Sequence, residues 1–225
     1  MKKNQSPFFL YTICFIQSVL AQNIPKGFAS IENMLPSMVL ELRYGTTENF
    51  MGRVVDGYQQ PKAVLTQPTL AALQKAQSQF KKHGLGIKLF DGYRPQRAVN
   101  DFIAWSKQSN DTLKKAYYYP ALPKDTLFDA GYIAKRSGHS RGSTVDITLI
   151  HLEGSVKGTE VDMGSPWDFF GPISWTDSPE INDEQRTHRK LLQSVMIESG
   201  FRPYAKEWWH FTLNNEPFPN TYFNF

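Results

Sequence analysis

Apolar and polar positions divide much of the chain into three helices and three strands. Over residues 66–82, Leu70, Leu73, Ala76 and Phe80 recur at helical spacing and predict one buried face. Thr66 is placed to cap this helix, Pro68 suits its first turn, and His83-Gly84 ends it. His83 reads as a helix-end cation and not as a ligand. A second helix is predicted from about residue 96 to 106, with Ala98, Phe102 and Trp105 inward. The third covers residues 182–199, where Asn182 and Gln185 form a capping box and Gly200 is the stop. Strands are predicted at 38–44, 86–90 and 143–149. In the last, Val145, Ile147 and Leu149 share one face, so Asp146 points the other way. An Asp is unfavourable in a strand, and a bound cation would explain it.

Between these elements lie aromatic, Pro-rich or Gly-rich loops, without an internal repeat. The pattern predicts a single α+β domain: an antiparallel sheet with packed helices, its site in a cleft on the sheet. At 225 residues, length points to one domain.

Charge changes the picture little. Lys and Arg number 25 against 21 Asp and Glu, and no basic run is interleaved with aromatics, so nucleic acid is not an expected partner. Lys2-Lys3, an apolar run from 8 to 20 and Val19-Leu20-Ala21 predict a secretory signal at 1–21, with the mature domain at 22–225. The run is too short for a membrane span. An exported protein, periplasmic or secreted, without stable membrane insertion after signal removal, is the expectation. The one cysteine, Cys14, lies within the leader. A metal in the mature chain would therefore be held by His, Asp and Glu.

The stretch 137–146 carries His139 and Asp146, and Glu207-Trp208-Trp209-His210 offers a third ligand and a spare carboxylate. Two His, one Asp and a Glu suit a catalytic zinc centre with one open position. His139, Asp146 and His210 would hold one zinc ion, and Glu207 would act as general base. Glu207 and His210 must then meet on one side of the chain, which predicts a turn or bulge between them. Arg94, in Asp91-Gly92-Tyr93-Arg94-Pro95, would face a developing oxyanion. On spacing alone the alternatives stay open. Glu-Trp-Trp-His also reads as a buried aromatic strand with charged ends, and Arg94 as a surface turn residue. For Tyr44 and Tyr58, which bracket a long loop, composition alone favours core-edge rings with wet hydroxyls. A Ser/His/Asp triad through Ser137 or Ser143 lacks a Gly-x-Ser-x-Gly elbow.

The chain resembles the D-alanyl-D-alanine dipeptidases of the VanX type, among zinc peptidases acting on cell-wall peptides. The resemblance rests on Ser137-x-His139-x-x-Gly142-x-x-x-Asp146, on residues 207–210 and on residues 91–95. It continues through the 44–58 region, Gly164-Ser165-Pro166-Trp167-Asp168 and Pro219-Asn220-x-Tyr222-Phe223. Gly138 stands where a Ser is more usual. The resemblance implies the same zinc ligands, Glu207 as base and Arg94 as transition-state stabiliser. It implies that Tyr44 and Asp168 hold the substrate's free amino group, that Ser137 contacts the dipeptide and that Tyr58 lines the same pocket. The expected reaction is hydrolysis of the small dipeptide D-alanyl-D-alanine to two D-alanines, drawn from cell-wall peptide. The rivals are a D,D-carboxypeptidase or endopeptidase on peptidoglycan stems and a non-catalytic wall-peptide binding protein.

Overall fold

A computed structural model describes residues 24–59 and 63–225. The expected signal segment at 1–21, and Cys14 with it, lies outside the described residues. The alternating stretch after Ser143 becomes a central strand, Thr144–His151. In chain order the strands are β1 (Phe28–Ser30), β2 (Val39–Leu40), β3 (Val64–Thr66), β4 (Leu85–Asp91), β5 (Thr144–His151), β6 (Phe201–Tyr204) and β7 (Glu207–Leu213). The helices are α1 (Ile31–Met34), α2 (Gln67–Lys81), α3 (Gln96–Ser106), α4 (Lys115–Tyr118) and α5 (Asp183–Glu198). Five strands form the main sheet in the order β2-β4-β5-β7-β6, and β1 pairs with β3 in a small second sheet. The fold is α+β, as expected.

One pair departs from the antiparallel expectation: β2 runs parallel to β4. A parallel pair needs a crossover connection, commonly helical, and α2 lies on the chain between the two strands. The strand expected at 38–44 also shortens to Val39–Leu40, because Arg43–Gly45 turns into a 3-10 helix. Gly45 N donates to Leu42 O and Val55 N donates to Tyr44 O, so the backbone closes on its own loop instead of extending the sheet. That turn carries Tyr44 into the interior.

The predicted faces hold. Leu70, Leu73, Ala76 and Phe80 are buried in α2, and Val145, Ile147 and Leu149 in β5. The opposite face of β5 is buried too, at Thr144, Asp146 and Thr148. The capping box of α5 forms from Asn182 and Gln185. The Thr66 cap does not: its hydroxyl bonds Thr69 and Ser143 instead of an α2 amide. Among the described residues no helix is long and apolar enough to cross a membrane.

Candidate metal centre and active site

Strand register builds the centre. Asp146 of β5 pairs directly with His210 of β7, so both side chains leave the same face of the sheet. On the other side Asp91, at the end of β4, pairs with Asp146 after a register shift. His139 arrives from a 3-10 turn, Gly138–Arg141, whose N-terminus is capped by Ser137: His139 N donates to Ser137 Oγ at 3.2 Å.

The candidate donor atoms converge. His139 Nε2 lies 3.2 Å from Asp146 Oδ1, and His210 Nδ1 lies 3.1 Å from the same oxygen. One donor atom from each residue falls within 4.8 Å of the others. His139 Nδ1 sits 2.8 Å from the Gly92 carbonyl and donates to it, which leaves Nε2 with its lone pair toward the cluster. His139 Nε2 and Asp146 Oδ1 are both buried without a hydrogen-bond partner. Buried polar atoms are nearly always satisfied, and a cation among these three residues would satisfy them together. The donor set, two imidazoles and a carboxylate, fits a divalent metal of borderline softness. Burial alone would raise the Asp146 pKa, but His139 and then His210 outweigh it and hold the carboxyl below its ordinary value. Asp146 is therefore ionised, as a metal-ligating carboxylate must be.

Glu207 stands beside this cluster. Its Oε2 lies 3.3 Å from His210 Nδ1. The bulge expected between the two is present. Pro203 pairs with Phe211 but Tyr204 pairs with Glu207, so β7 accommodates three residues opposite none of β6. Burial, then the Asp146 charge, pushes Glu207 up to about 8, against the pull of Arg94 and His139.

Arg94 is held rigidly. Its Nε donates to Asp91 Oδ2 at 2.8 Å, and Nη2 lies 3.6 Å from Asp146 Oδ2. Its Cζ sits 4.9 Å from the Tyr44 ring centroid and 5.2 Å from that of Phe102. Of the two readings left open by the sequence, the structure places Arg94 at the cavity. Tyr44 and Asp168 are also brought together: the Tyr44 hydroxyl donates to Asp168 Oδ2 at 2.7 Å. Burial raises the Asp168 pKa well above its ordinary value despite that hydrogen bond.

These groups line one cavity of about 300 Å³. Tyr44, Arg94, Ser137, His139, Asp146, Asp168, Glu207 and His210 all reach it. Tyr58 does not. Its ring stands behind Tyr44, 5.5 Å between centroids, and its hydroxyl donates to Asp91 Oδ1 at 2.5 Å. It supports Asp91 instead of lining the pocket, because the 3-10 turn puts Tyr44 in front of it.

Asp91 was given no role by the sequence and is central here. Its side chain is fully buried and takes hydrogen bonds from Tyr58 and Arg94. Its Oδ2 lies 3.4 Å from His139 Nδ1. The signal was available: an Asp at the end of an apolar strand is as unfavourable as Asp146 within one. Trp167 was also missed as a supporting group; its Nε1 donates to Asp146 Oδ2 at 3.4 Å.

The family described as D-ala-D-ala dipeptidase matches residues 25–225. The chain is 44% identical over 198 residues to a D-alanyl-D-alanine dipeptidase of Streptomyces coelicolor, covering 88% of this chain and 96% of that one. It is 41% identical over 199 residues to one of Enterococcus faecalis, covering 88% and 97%. It is 30% identical over 183 residues to one of Escherichia coli, covering 80% and 81%. The chain belongs to the D-ala-D-ala dipeptidase family.

Proposed function

We propose that this protein hydrolyses D-alanyl-D-alanine to two D-alanines with one zinc ion held by His139, Asp146 and His210. The observation that carries the reading is the convergence of those three donor atoms, two of them buried and unpartnered, beside a carboxylate that is not among them. When bound, zinc supplies a Lewis acid that polarises the scissile carbonyl and acidifies water. Glu207 accepts a proton from the attacking water and passes it to the leaving amine. Its raised pKa suits a group that must both take and give a proton near neutrality. Arg94, fixed by Asp91, presents its guanidinium to the oxygen that gains negative charge.

Asp168 and Tyr44 take the substrate's ammonium group. An Asp buried this deeply favours a ligand that brings its own positive charge. An acylated amine brings none and leaves Asp168 desolvated and unpaired, which turns away longer wall peptides. Ser137 borders the same cavity and contacts the dipeptide. Residues 131–134 border the cavity, and this segment is tied to the β6–β7 turn. Lys206 Nζ donates to Ala130 O at 2.7 Å and the Tyr204 hydroxyl donates to Gly131 O at 3.1 Å. A cavity of about 300 Å³ suits a dipeptide better than a peptidoglycan strand. Export to the periplasm or outside, following removal of residues 1–21, would place the enzyme beside wall-derived peptide.

The test is release of D-alanine from D-alanyl-D-alanine by the zinc-loaded protein, with the N-acetylated dipeptide and L-alanyl-L-alanine in parallel. Cleavage of the first alone is expected. Preference for the acetylated compound would point instead to a carboxypeptidase, and zinc binding without cleavage of any to a binding protein.

A further inference from the structure

Arg189 belongs to α5, outside the cavity, and its side chain is buried, the whole residue being 1% exposed. Its hydrogen-bond partners are neutral. Nε donates to Met163 O at 2.6 Å, Nη1 to Trp175 O at 2.6 Å, and Nη2 to Ile173 O at 2.9 Å and Ser165 Oγ at 3.4 Å. Burial, then the Arg186 charge, lowers its pKa to about 10, so it remains charged at neutral pH. A buried cation carried by backbone carbonyls is costly unless its geometry is well satisfied.

All four acceptors lie in the loop 163–175, whose only regular structure is the short 3-10 turn Pro172–Ser174. Met163 stands at the entry to the loop and Ile173 and Trp175 at its exit. Asp168 lies midway between Met163 and Ile173. Among the described residues it is also the one non-glycine with positive φ, at 63°. That conformation is disfavoured for an L-residue and persists only where the surroundings over-determine it. The same Ser165 hydroxyl accepts from Trp208 Nε1 at 2.9 Å, next to Glu207. The Arg189 guanidinium lies 5.8 Å from the Trp208 ring.

We infer that Arg189 is a positioning residue for substrate recognition: its guanidinium draws the two ends of the 163–175 loop together and so fixes where Asp168 meets the substrate ammonium. This rests on the amine-recognition reading above. A lysine cannot replace it, because an ammonium lacks the planar fork that reaches both ends at once.

The test compares Arg189→Met and Arg189→Lys with the parent in the zinc-loaded protein. Three quantities are read: KM and kcat for D-alanyl-D-alanine, the inhibition constant of N-propanoyl-D-alanine, which lacks only the amine, and bound zinc. Arg189→Met should raise KM about tenfold, with kcat, zinc content and the inhibition constant nearly unchanged. Combined with Asp168→Ala it should add little to the KM of Asp168→Ala alone. Equal weakening of dipeptide and amine-free analogue, or additive effects with Asp168→Ala, would overturn the inference. Should the Met variant not fold, Arg189→Lys answers through hydrogen exchange. The Phe170 amide, which donates to Tyr118 O at 2.7 Å, should exchange faster than in the parent while amides of α5 do not. Unchanged exchange at Phe170 would also overturn it. A parent protein that does not cleave the dipeptide would defeat the reading of the site, and the exchange arm would still judge Arg189.

Discussion

Asp146 and His210 face each other across β5 and β7, and His210 Nδ1 lies 3.1 Å from Asp146 Oδ1. A slip of one residue in this pairing would send His210 to the opposite face of the sheet. The buried apolar sets Val145, Ile147 and Leu149 on β5 and Trp209 and Phe211 on β7 forbid that slip. The hydrophobic core thus sets the register, and the register sets Asp146 beside His210.

Glu207→Gln should retain bound metal and lose turnover by about 10²–10⁴-fold, the usual contribution of a general base. Zinc content by atomic absorption beside kcat checks this. Loss of zinc together with activity would make Glu207 a ligand.

Asp168→Asn should stabilise the substrate-free protein in a pH-dependent way. Burial raises the folded pKa of Asp168, so the folded state binds its proton more tightly than the unfolded chain. Stability is therefore lost as pH rises from the ordinary carboxylate value of about 3.9 through the folded value. The Asn variant escapes this loss. Its Tm should exceed the parent's at neutral pH, and the gap should shrink as pH falls toward 4. A gap constant with pH would show that Asp168 is not desolvated.

Asp91→Asn should lower activity about 10–100-fold, the usual effect of disturbing a group that orients a metal ligand. It weakens the hold on Arg94 and changes the environment of His139 together. The expected signature is a fall in kcat and in zinc affinity, without the selective KM effect expected at Asp168. Titration of the variant with zinc beside steady-state kinetics separates the two.

Gly142→Ala should destabilise the fold by at least about 2 kcal/mol. Gly142 has φ +76°, and a methyl group there would run into the Phe28 ring. Its carbonyl also accepts from Thr66 N at 2.8 Å, tying the His139 turn to β3. Urea unfolding should show a lower midpoint with an unchanged slope.

Much of this was legible in the sequence. Helical spacing found α2, α3 and α5, and alternation found β5 and turned Asp146 away from Val145, Ile147 and Leu149. The demand that Glu207 and His210 meet on one side found the bulge in β7. Local pattern did not find what depends on distant partners. Tyr44 reads as the end of a strand, yet the 3-10 turn at Arg43–Gly45 and the reach to Asp168, distant in the chain, place it. Tyr58 and Tyr44 look alike in sequence, and only packing puts one in the cavity and the other behind it. Arg189 sits in a charged helical run, and its acceptors are mostly backbone carbonyls that no side-chain pattern reveals.

The central claim is that His139, Asp146 and His210 hold one zinc with Glu207 beside it but unbound. Anomalous diffraction at the zinc edge, on crystals of the zinc-loaded protein, tests this most directly. The account predicts one peak, at about 2.0–2.2 Å from His139 Nε2, Asp146 Oδ1 and His210 Nδ1, with Glu207 outside coordinating distance. A peak elsewhere, or one with Glu207 as a fourth protein ligand closing the site, would contradict it.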